Sequence, residues 1–241
     1  DMYQTGVTFT YLMPAAEAIY LPHDFRTMHE QDIEYYAPEE KLAESITVQV
    51  AEDKDCDEIA AWAQKELAGK YQVYAKRDKN YYERLLKELA CEDGKLIIYR
   101  RDEQIVDVRP YYEEAEEPEE VEKQEEKPKI MIRIVDARRM LMSLKLKSLM
   151  AVSFQITDPL IPENNRYVTM TGTEFSGLML MDGKPETSEG ALTVSALGEL
   201  IFGAKTVEEI SKEEGVSMSG RMASELEKII PLSRIYLNEA V

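Results

Sequence analysis

A run of acidic residues near the middle of the chain constrains its organisation more than any other sequence feature. Residues 112–127 read YEEAEEPEEVEKQEEK and contain almost no apolar side chains. Because like charges repel and nothing in this run can fill a core, it is typical of a solvated tether. We therefore predict an acidic linker over residues 112–129, with folded parts on either side.

Alternating strand and helix patterns precede this linker. Strands are predicted where β-branched and aromatic residues concentrate, at residues 7–13, 46–51 and 95–100. One helix is predicted to begin at Asp55, which forms a capping box with Glu58, and to end at Gly69. A second is predicted to run from Asn80 to Gly94.

The part after the linker is also mixed. Turn-forming residues separate segments that predict an antiparallel sheet, namely residues 148–158, 166–172 and 177–183. A strand at the start of this part leads into a helix capped by Asp136, and Thr206 and Glu209 form a capping box for a later helix. Both halves therefore predict an α+β fold.

The charge balance excludes two classes of partner. The 241 residues include 47 Asp and Glu against 29 Lys and Arg, giving a formal net charge of −18. Nucleic acids and anionic lipid surfaces bind clusters of Lys and Arg, so we expect neither nucleic acid nor membrane as a partner. No apolar run approaches the roughly 18 residues of a membrane span. With two cysteines and no signal segment, the sequence predicts a cytoplasmic protein.

The motifs that define common enzyme classes are missing from the sequence. It contains no G-x-G-x-x-G, G-x-x-x-x-G-K-[ST], H-E-x-x-H or G-x-S-x-G. His23 and His29 lie six residues apart in an irregular stretch, so we expect surface histidines and no metal site. Cys56 and Cys91 lie on predicted helices without a nearby histidine and are predicted to be buried, inert thiols.

The passage Leu12–Arg26 (LMPAAEAIYLPHDFR) is the best candidate for a functional surface. Small residues, prolines and aromatic side chains lie here between a predicted strand and a loop, and such passages often expose side chains to clefts. Tyr20 and Phe25 fit core packing, which composition favours, or a cleft. The methionine-rich C-terminal part leaves a similar choice between core filling and an apolar pocket.

Several segments together carry a family resemblance. They are FTYLMPAAEAIYLPHDFR, YYERLLKELACEDGKLIIYRRDEQIV, KPKIMIRIVDARRML, GALTVSALGELIFGAKTVEEIS and the C-terminal IPLSRIYLNEAV. In this order they resemble the Eis-like (enhanced intracellular survival) N-acetyltransferases, whose members have two GNAT-type lobes followed by a sterol-carrier-protein-like domain. The resemblance implies that this chain is the C-terminal portion of such an acetyltransferase.

The resemblance also implies domain boundaries. Residues 1–44 would be the end of the first GNAT lobe, 45–111 a shortened second lobe, 112–129 the linker and 130–241 the sterol-carrier-like domain. The family binds acetyl-CoA through an [RQ]-x-x-G-x-[GA] loop in the first lobe, where backbone N–H groups hold the pyrophosphate. This loop is missing from the sequence, so the fragment alone is expected to be inactive and unable to bind acetyl-CoA.

Candidate site residues follow from the same resemblance. The segment EAIYLPHDF matches the family passage in which a tyrosine protonates the leaving CoA thiolate, so Tyr20 is implied as general acid. The main-chain carboxylate of the last residue, Val241, is implied as the group that takes a proton from the amine. Phe25 and Glu239 are implied as substrate-binding residues.

Two functions remain open at this point. The first is acetyl transfer from acetyl-CoA to a small-molecule or peptide amine, with acidic residues attracting a cationic acceptor. The alternative is a non-enzymatic, sterol-carrier-like module that binds a lipid or forms oligomers. Under the first function we expect the full-length protein to be a homo-oligomer.

Overall fold

The computed structural model describes residues 1–31, 45–112 and 127–237. Contacts between Cα atoms divide the chain into two units, one of residues 1–31 with 128–241 and the other of residues 32–127. Each unit combines sheet and helix, which confirms the α+β fold class.

Most of the predicted acidic linker lies outside the described residues. The domain boundaries after residues 44, 111 and 129 therefore stay predictions.

The elements of the first unit are strands and mostly short helices. Its strands are β1 (Phe9–Leu12), β2 (Arg26–Glu30), β7 (Lys129–Ile134), β8 (Lys145–Leu146), β9 (Met150–Thr157), β10 (Arg166–Thr173), β11 (Gly177–Asp182), β12 (Gly190–Thr193), β13 (Ser217–Met218), β14 (Ile229–Ile230) and β15 (Ile235–Tyr236). Its helices are α1 (Glu17–Tyr20), α4 (Ala137–Met142), α5 (Val194–Phe202), α6 (Val207–Ile210) and α7 (Gly220–Leu226).

A three-stranded sheet joins the two ends of the first unit. Strand β7 lies in the middle and pairs antiparallel with both β1 and β2, so that Phe9 and Arg26 face Ile134 and Ile132. The apolar sequence of β7 explains its central position, because Ile130, Met131 and Ile132 are fully buried. The connection from β1 to β2 therefore crosses from one side of β7 to the other.

Helix α5 packs against β2 and β7. At Gly198 an added Cβ would lie 3.0 Å from Cε of Met28, so glycine permits the close approach of helix and sheet. The rings of Phe9 and Phe202 meet edge to face with centroids 5.3 Å apart. The core of this sheet is thus continuous with the C-terminal part of the chain.

The second sheet of this unit has the order β11-β10-β9-β12-β13. Strands β9, β10 and β11 pair antiparallel, which confirms the predicted antiparallel arrangement, and β12 pairs parallel with β9. Alternate residues of β10 are buried, including Val168 and Met170, as expected for a sheet with one covered face.

Over residues 45–112, the second unit has a three-stranded antiparallel sheet with two helices. Strands β3 (Ile46–Val50), β5 (Gly94–Arg101) and β6 (Gln104–Tyr112) have the order β3-β5-β6, and a short β4 (Val73–Tyr74) follows α2. Helices α2 (Cys56–Lys70) and α3 (Lys79–Cys91) pack on each other, and Ile59, Tyr82 and Ile98 lie in their shared core.

Two helix caps predicted for the first unit are confirmed. The Asp136 carboxylate accepts a hydrogen bond of 3.0 Å from the Arg139 N–H at the start of α4. Thr206 and Glu209 form the predicted capping box of α6. Both caps satisfy N–H groups that would otherwise lack an intrahelical partner.

Asp55 is the N-cap of α2, as predicted, but its predicted capping box with Glu58 is wrong. Glu52 and Asp55 form a capping box on the 3₁₀ turn before the helix. The Glu58 carboxylate instead accepts hydrogen bonds from Nη1 and Nη2 of Arg100, at 2.7 and 2.6 Å. A strand arginine thus holds the carboxylate expected at the helix start. The helix also continues through Gly69 to Lys70, since nothing there requires a left-handed residue.

The limits predicted for α3 are displaced. Asp78 is the N-cap and accepts a hydrogen bond from the Tyr81 N–H, so the helix begins before Asn80. At the other end Asp93 takes the left-handed conformation (φ 54°), and Gly94 begins β5. Among the strands that were not predicted, β2 and β6 contain charged and polar residues that interrupt their apolar pattern.

Candidate active site

The candidate site begins where the chain leaves β1 and crosses to β2. Helix α1 is followed by a 3₁₀ turn at Leu21–His23, which contains Pro22. Asp24 then adopts a left-handed conformation (φ 59°, ψ 21°), one that aspartate tolerates better than most residues. The passage therefore places Tyr20 and Phe25 on either side of a tight turn.

Glu17 anchors this passage to the three-stranded sheet. Its Oε2 accepts a hydrogen bond of 2.7 Å from Nζ of Lys129 on β7, and its Oε1 accepts one from the hydroxyl of Thr27 on β2. The Lys129 ammonium, followed by the Thr27 hydroxyl, lowers the pKa of Glu17 below its usual value. The one-turn helix that ends at Tyr20 is thus tied to two strands.

The side chains of Tyr20 and Phe25 form an aromatic pair. Their ring centroids lie 6.0 Å apart with an interplanar angle of 68°, an edge-to-face arrangement. Both residues are half-buried, so they are neither fully packed in a core nor fully exposed in a cleft. Among the described residues, none hydrogen-bonds to the Tyr20 hydroxyl. In this part of the structure the phenol is therefore held through its ring and not through its oxygen.

Two arginines hold the main-chain carbonyls of the turn. Nη1 of Arg26 donates to the carbonyls of Leu21 and Phe25 at 3.1 and 2.8 Å. Nε of Arg133, on β7, donates to the His23 carbonyl at 3.0 Å. Neither arginine was predicted as a site residue, although a single charge within the apolar stretch IMIRI is a signal for a buried partner.

The buried partner of Arg133 is Asp158. Its Oδ1 lies 2.8 Å from Nη2 of Arg133, and the two side chains are 6% and 0% exposed. Asp158 also accepts hydrogen bonds from the N–H groups of Leu160 and Ile161 and from the Asn164 amide. Asp158 and Asn164, which the sequence indicated only as turn-forming residues, thus form a buried hydrogen-bond network with Arg133.

Asp24 contributes a second carboxylate at this turn. Its Oδ2 is buried and has no hydrogen-bond partner among the described residues, and its Oδ1 lies 3.7 Å from Nη2 of Arg26. Burial raises the pKa of Asp24, although the charges of Arg26 and Arg133 oppose the rise. The turn therefore combines the Tyr20 phenol with a carboxyl group that holds its proton more tightly than usual.

The remaining candidate residues are two at the C-terminus and the two histidines. Val241 and Glu239, implied as catalytic and substrate-binding, lie outside the described residues. The last described residue, Leu237, is buried. His23 is exposed and His29 half-buried, and no group of three or more His, Cys, Asp or Glu within the described ranges could hold a metal ion.

The two cysteines differ in exposure. Cys56 is buried, and burial followed by nearby carboxylates raises the pKa of its thiol, as expected for an inert group. Cys91 is exposed, so the prediction that it is buried is wrong; it is the last residue of α3 and is followed by the exposed residues Glu92 and Asp93. In the described part of the chain, no helix combines the length and apolar character needed to cross a bilayer.

Solved structures share this fold at low sequence identity. A GCN5-related N-acetyltransferase from Anabaena variabilis is 12% identical with a TM-score of 0.65, over 98% of this chain and 74% of that one. One from Kribbella flavida is 11% identical with a TM-score of 0.66, over 99% and 73%. Eis1 from Mycobacterium abscessus is 12% identical with a TM-score of 0.63, over 100% and 75%.

A known protein family matches the C-terminal part of the chain. The family described as sterol carrier protein domain matches residues 132–238. A comparison with curated proteins finds no significant match. The chain therefore has the fold of GCN5-related N-acetyltransferases, and its C-terminal part is similar to the sterol carrier protein domain.

Proposed function

We propose that this chain is the C-terminal portion of an Eis-like N-acetyltransferase that moves an acetyl group from acetyl-CoA to an amine. The observation that carries the proposal is the anchored turn with Tyr20, whose hydroxyl has no hydrogen-bond partner among the described residues. The acetyltransferase fold of the structural neighbours is consistent with it.

In the proposed reaction the amine nitrogen attacks the thioester carbonyl, forming a C–N bond as the C–S bond breaks. The amine must first lose a proton, for which we propose the terminal carboxylate of Val241 as acceptor. The departing CoA thiolate takes the phenolic proton of Tyr20. Phe25, whose ring contacts Tyr20, and Glu239 would bind the acceptor, a cationic small molecule or a peptide amine.

The cofactor would be held by residues outside this chain. The sequence lacks an [RQ]-x-x-G-x-[GA] loop, so we propose that the remainder of the first lobe in the full-length protein supplies it. On this proposal residues 1–44 complete the first lobe, 45–111 form a shortened second lobe and 130–241 form the C-terminal domain. We also propose a cytoplasmic homo-oligomer.

The test compares two tyrosine-to-phenylalanine variants of the full-length protein. Release of the CoA thiol is measured with acetyl-CoA and a panel of amines, and acetyl-CoA affinity by calorimetry. Tyr20→Phe should lower kcat by about a hundredfold or more, the usual contribution of general acid catalysis, without changing acetyl-CoA affinity. Tyr167→Phe, on β10, is the control and should retain the parent rate. Equal rates for both variants would remove Tyr20 from the mechanism.

A second function is supported by the sterol-carrier-like match to residues 132–238. In that case the chain would bind a lipid in its apolar interior or act as an assembly domain. Titration with a fluorescent fatty acid and sedimentation of the same sample test both forms. Saturable lipid binding by a protein that transfers no acetyl group would favour this alternative.

A further inference from the structure

We infer that Arg133 is the positioning residue for Tyr20, acting through the turn at Leu21–Phe25, and that Asp158 fixes Arg133 in turn. This rests on the proposed role of Tyr20 as general acid. It assigns to the C-terminal part of the chain a direct part in shaping the candidate site.

The Arg133 side chain donates hydrogen bonds in three directions. Its Nε, Nη1 and Nη2 donate to the His23 carbonyl, the Ile134 carbonyl and the Asp158 carboxylate at 3.0, 2.8 and 2.8 Å. The planar guanidinium fixes all three directions at once, whereas a lysine ammonium has no such fork. The position of the His23 carbonyl is therefore set relative to β7 and to Asp158.

Asp158 is itself held in place by several hydrogen bonds. Its carboxylate receives main-chain N–H groups from Leu160 and Ile161, and Asn164 donates to it while also binding the Val135 carbonyl at 2.9 Å. With its side chain 0% exposed, Asp158 cannot exchange these partners for water. Arg133 is thus held against a fixed support.

Only a short stretch of chain separates His23 from the Tyr20 ring. His23 ends the 3₁₀ turn that follows Tyr20, and the Phe25 N–H donates back to the Tyr20 carbonyl at 3.4 Å. The Phe25 ring then contacts the Tyr20 ring. A shift of the His23 carbonyl therefore moves both rings, and displacing a catalytic group by about 1 Å can cost about a hundredfold in rate.

The test reads the environment of Tyr20 directly. Fluorotyrosine is incorporated into this chain, and the Tyr20 resonance among its 14 tyrosines is identified by its loss in Tyr20→Phe. In Arg133→Lys, which keeps the charge but not the fork, that resonance should move or broaden. The control is Val152→Ala in β9, a buried substitution that lowers stability without touching the turn and should leave the resonance in place.

Kinetics of the full-length protein give the second measurement. Arg133→Lys should lower kcat by about tenfold to a hundredfold while KM for the amine changes little, because only the placement of the acid is disturbed. If Arg133→Lys does not fold, Asp158→Asn, which keeps shape and removes charge, takes its place in both measurements.

The outcomes separate this inference from the proposed function. An unchanged Tyr20 resonance in a folded variant, or a Val152→Ala control that moves it equally, overturns the positioning role of Arg133. A shifted resonance together with full activity in Tyr20→Phe keeps the positioning role but refutes Tyr20 as the acid. A shifted resonance with the expected fall in kcat supports both.

Discussion

Nζ of Lys129 lies 2.7 Å from Oε2 of Glu17, which joins β7 to α1 across 112 residues of sequence. The pair ties the helix that ends at Tyr20 to the central strand of the three-stranded sheet.

Removing the lysine should change the titration of Glu17. The folded protein lowers the pKa of Glu17 below the ordinary 4.5, so the stability from this contact is present above about pH 4.5 and is lost as the pH falls further. In Lys129→Met the Glu17 pKa should return toward 4.5, as measured by NMR of the glutamate carboxyl carbons. Lys145→Met, at an exposed lysine on β8, should leave the Glu17 pKa unchanged.

A buried and an exposed phenylalanine should differ in how much their replacement by alanine lowers stability. Phe154 on β9 is fully buried, so Phe154→Ala should lower the free energy of unfolding by about 3–5 kcal/mol through lost contacts and a cavity. Phe175, in the turn between β10 and β11, is 92% exposed, and Phe175→Ala should stay within about 0.5 kcal/mol of the parent. Urea denaturation measures both, and similar losses would contradict these environments.

Sequence patterns predicted individual strands and helix caps of the first unit better than the pairing of strands distant in sequence. The strands β9 to β11 and the capping box at Thr206 were predictable because turn residues and caps act locally. The central place of β7 between β1 and β2 was not, since strand pairing across about a hundred residues leaves no local signal. The α2 capping box was mispredicted because Arg100, distant in sequence, holds Glu58.

The candidate site was predictable only in part. Aromatic and small residues marked the passage that contains Tyr20 and Phe25, but the arginines behind it were missed. Arg133 and Asp158 are 25 residues apart, and their pairing depends on the fold. The sequence signal was indirect: one arginine in an apolar strand must find a buried acceptor.

Glu199 should make the folded protein less stable as the pH rises, the reverse of the usual effect of an acidic side chain. Its side chain is 5% exposed, and burial, together with a hydrogen bond to Glu213, raises its pKa despite contact with Lys205. Because the folded state then holds a proton that the unfolded chain releases, stability should fall as the pH rises from about 4.5 through the raised pKa. Glu199→Gln should abolish this fall in urea titrations at successive pH values.

Glu208 is the matched control for that measurement. It is exposed and paired with Lys212, whose hydrogen bond lowers the pKa of Glu208. Its contribution should be present above about pH 4.5 and lost below it, so Glu208→Gln should remove a slope of opposite sign. A wild-type slope that survives in Glu199→Gln would show that other groups cause it.

Two glycines should respond oppositely to alanine. At Gly69, near the end of α2, an added Cβ meets nothing within 4 Å, so Gly69→Ala should raise the free energy of unfolding by about 0.5–1 kcal/mol. At Gly190 on β12 the Cβ would lie 2.1 Å from the Ser217 carbonyl oxygen, and Gly190→Ala should cost about 1–3 kcal/mol. Thermal unfolding should show Tm shifts in opposite directions.

The position of β7 has a consequence for how the protein is made. Strands β1 and β2 leave the ribosome about 100 residues before the strand that pairs with both. At about 5–20 residues per second, the ribosome needs roughly 5–20 seconds to supply it. During that interval the two strands have unpaired backbone edges on the nascent polypeptide. Chaperone contact with β1 and β2 should therefore end only once Ile134 has left the exit tunnel.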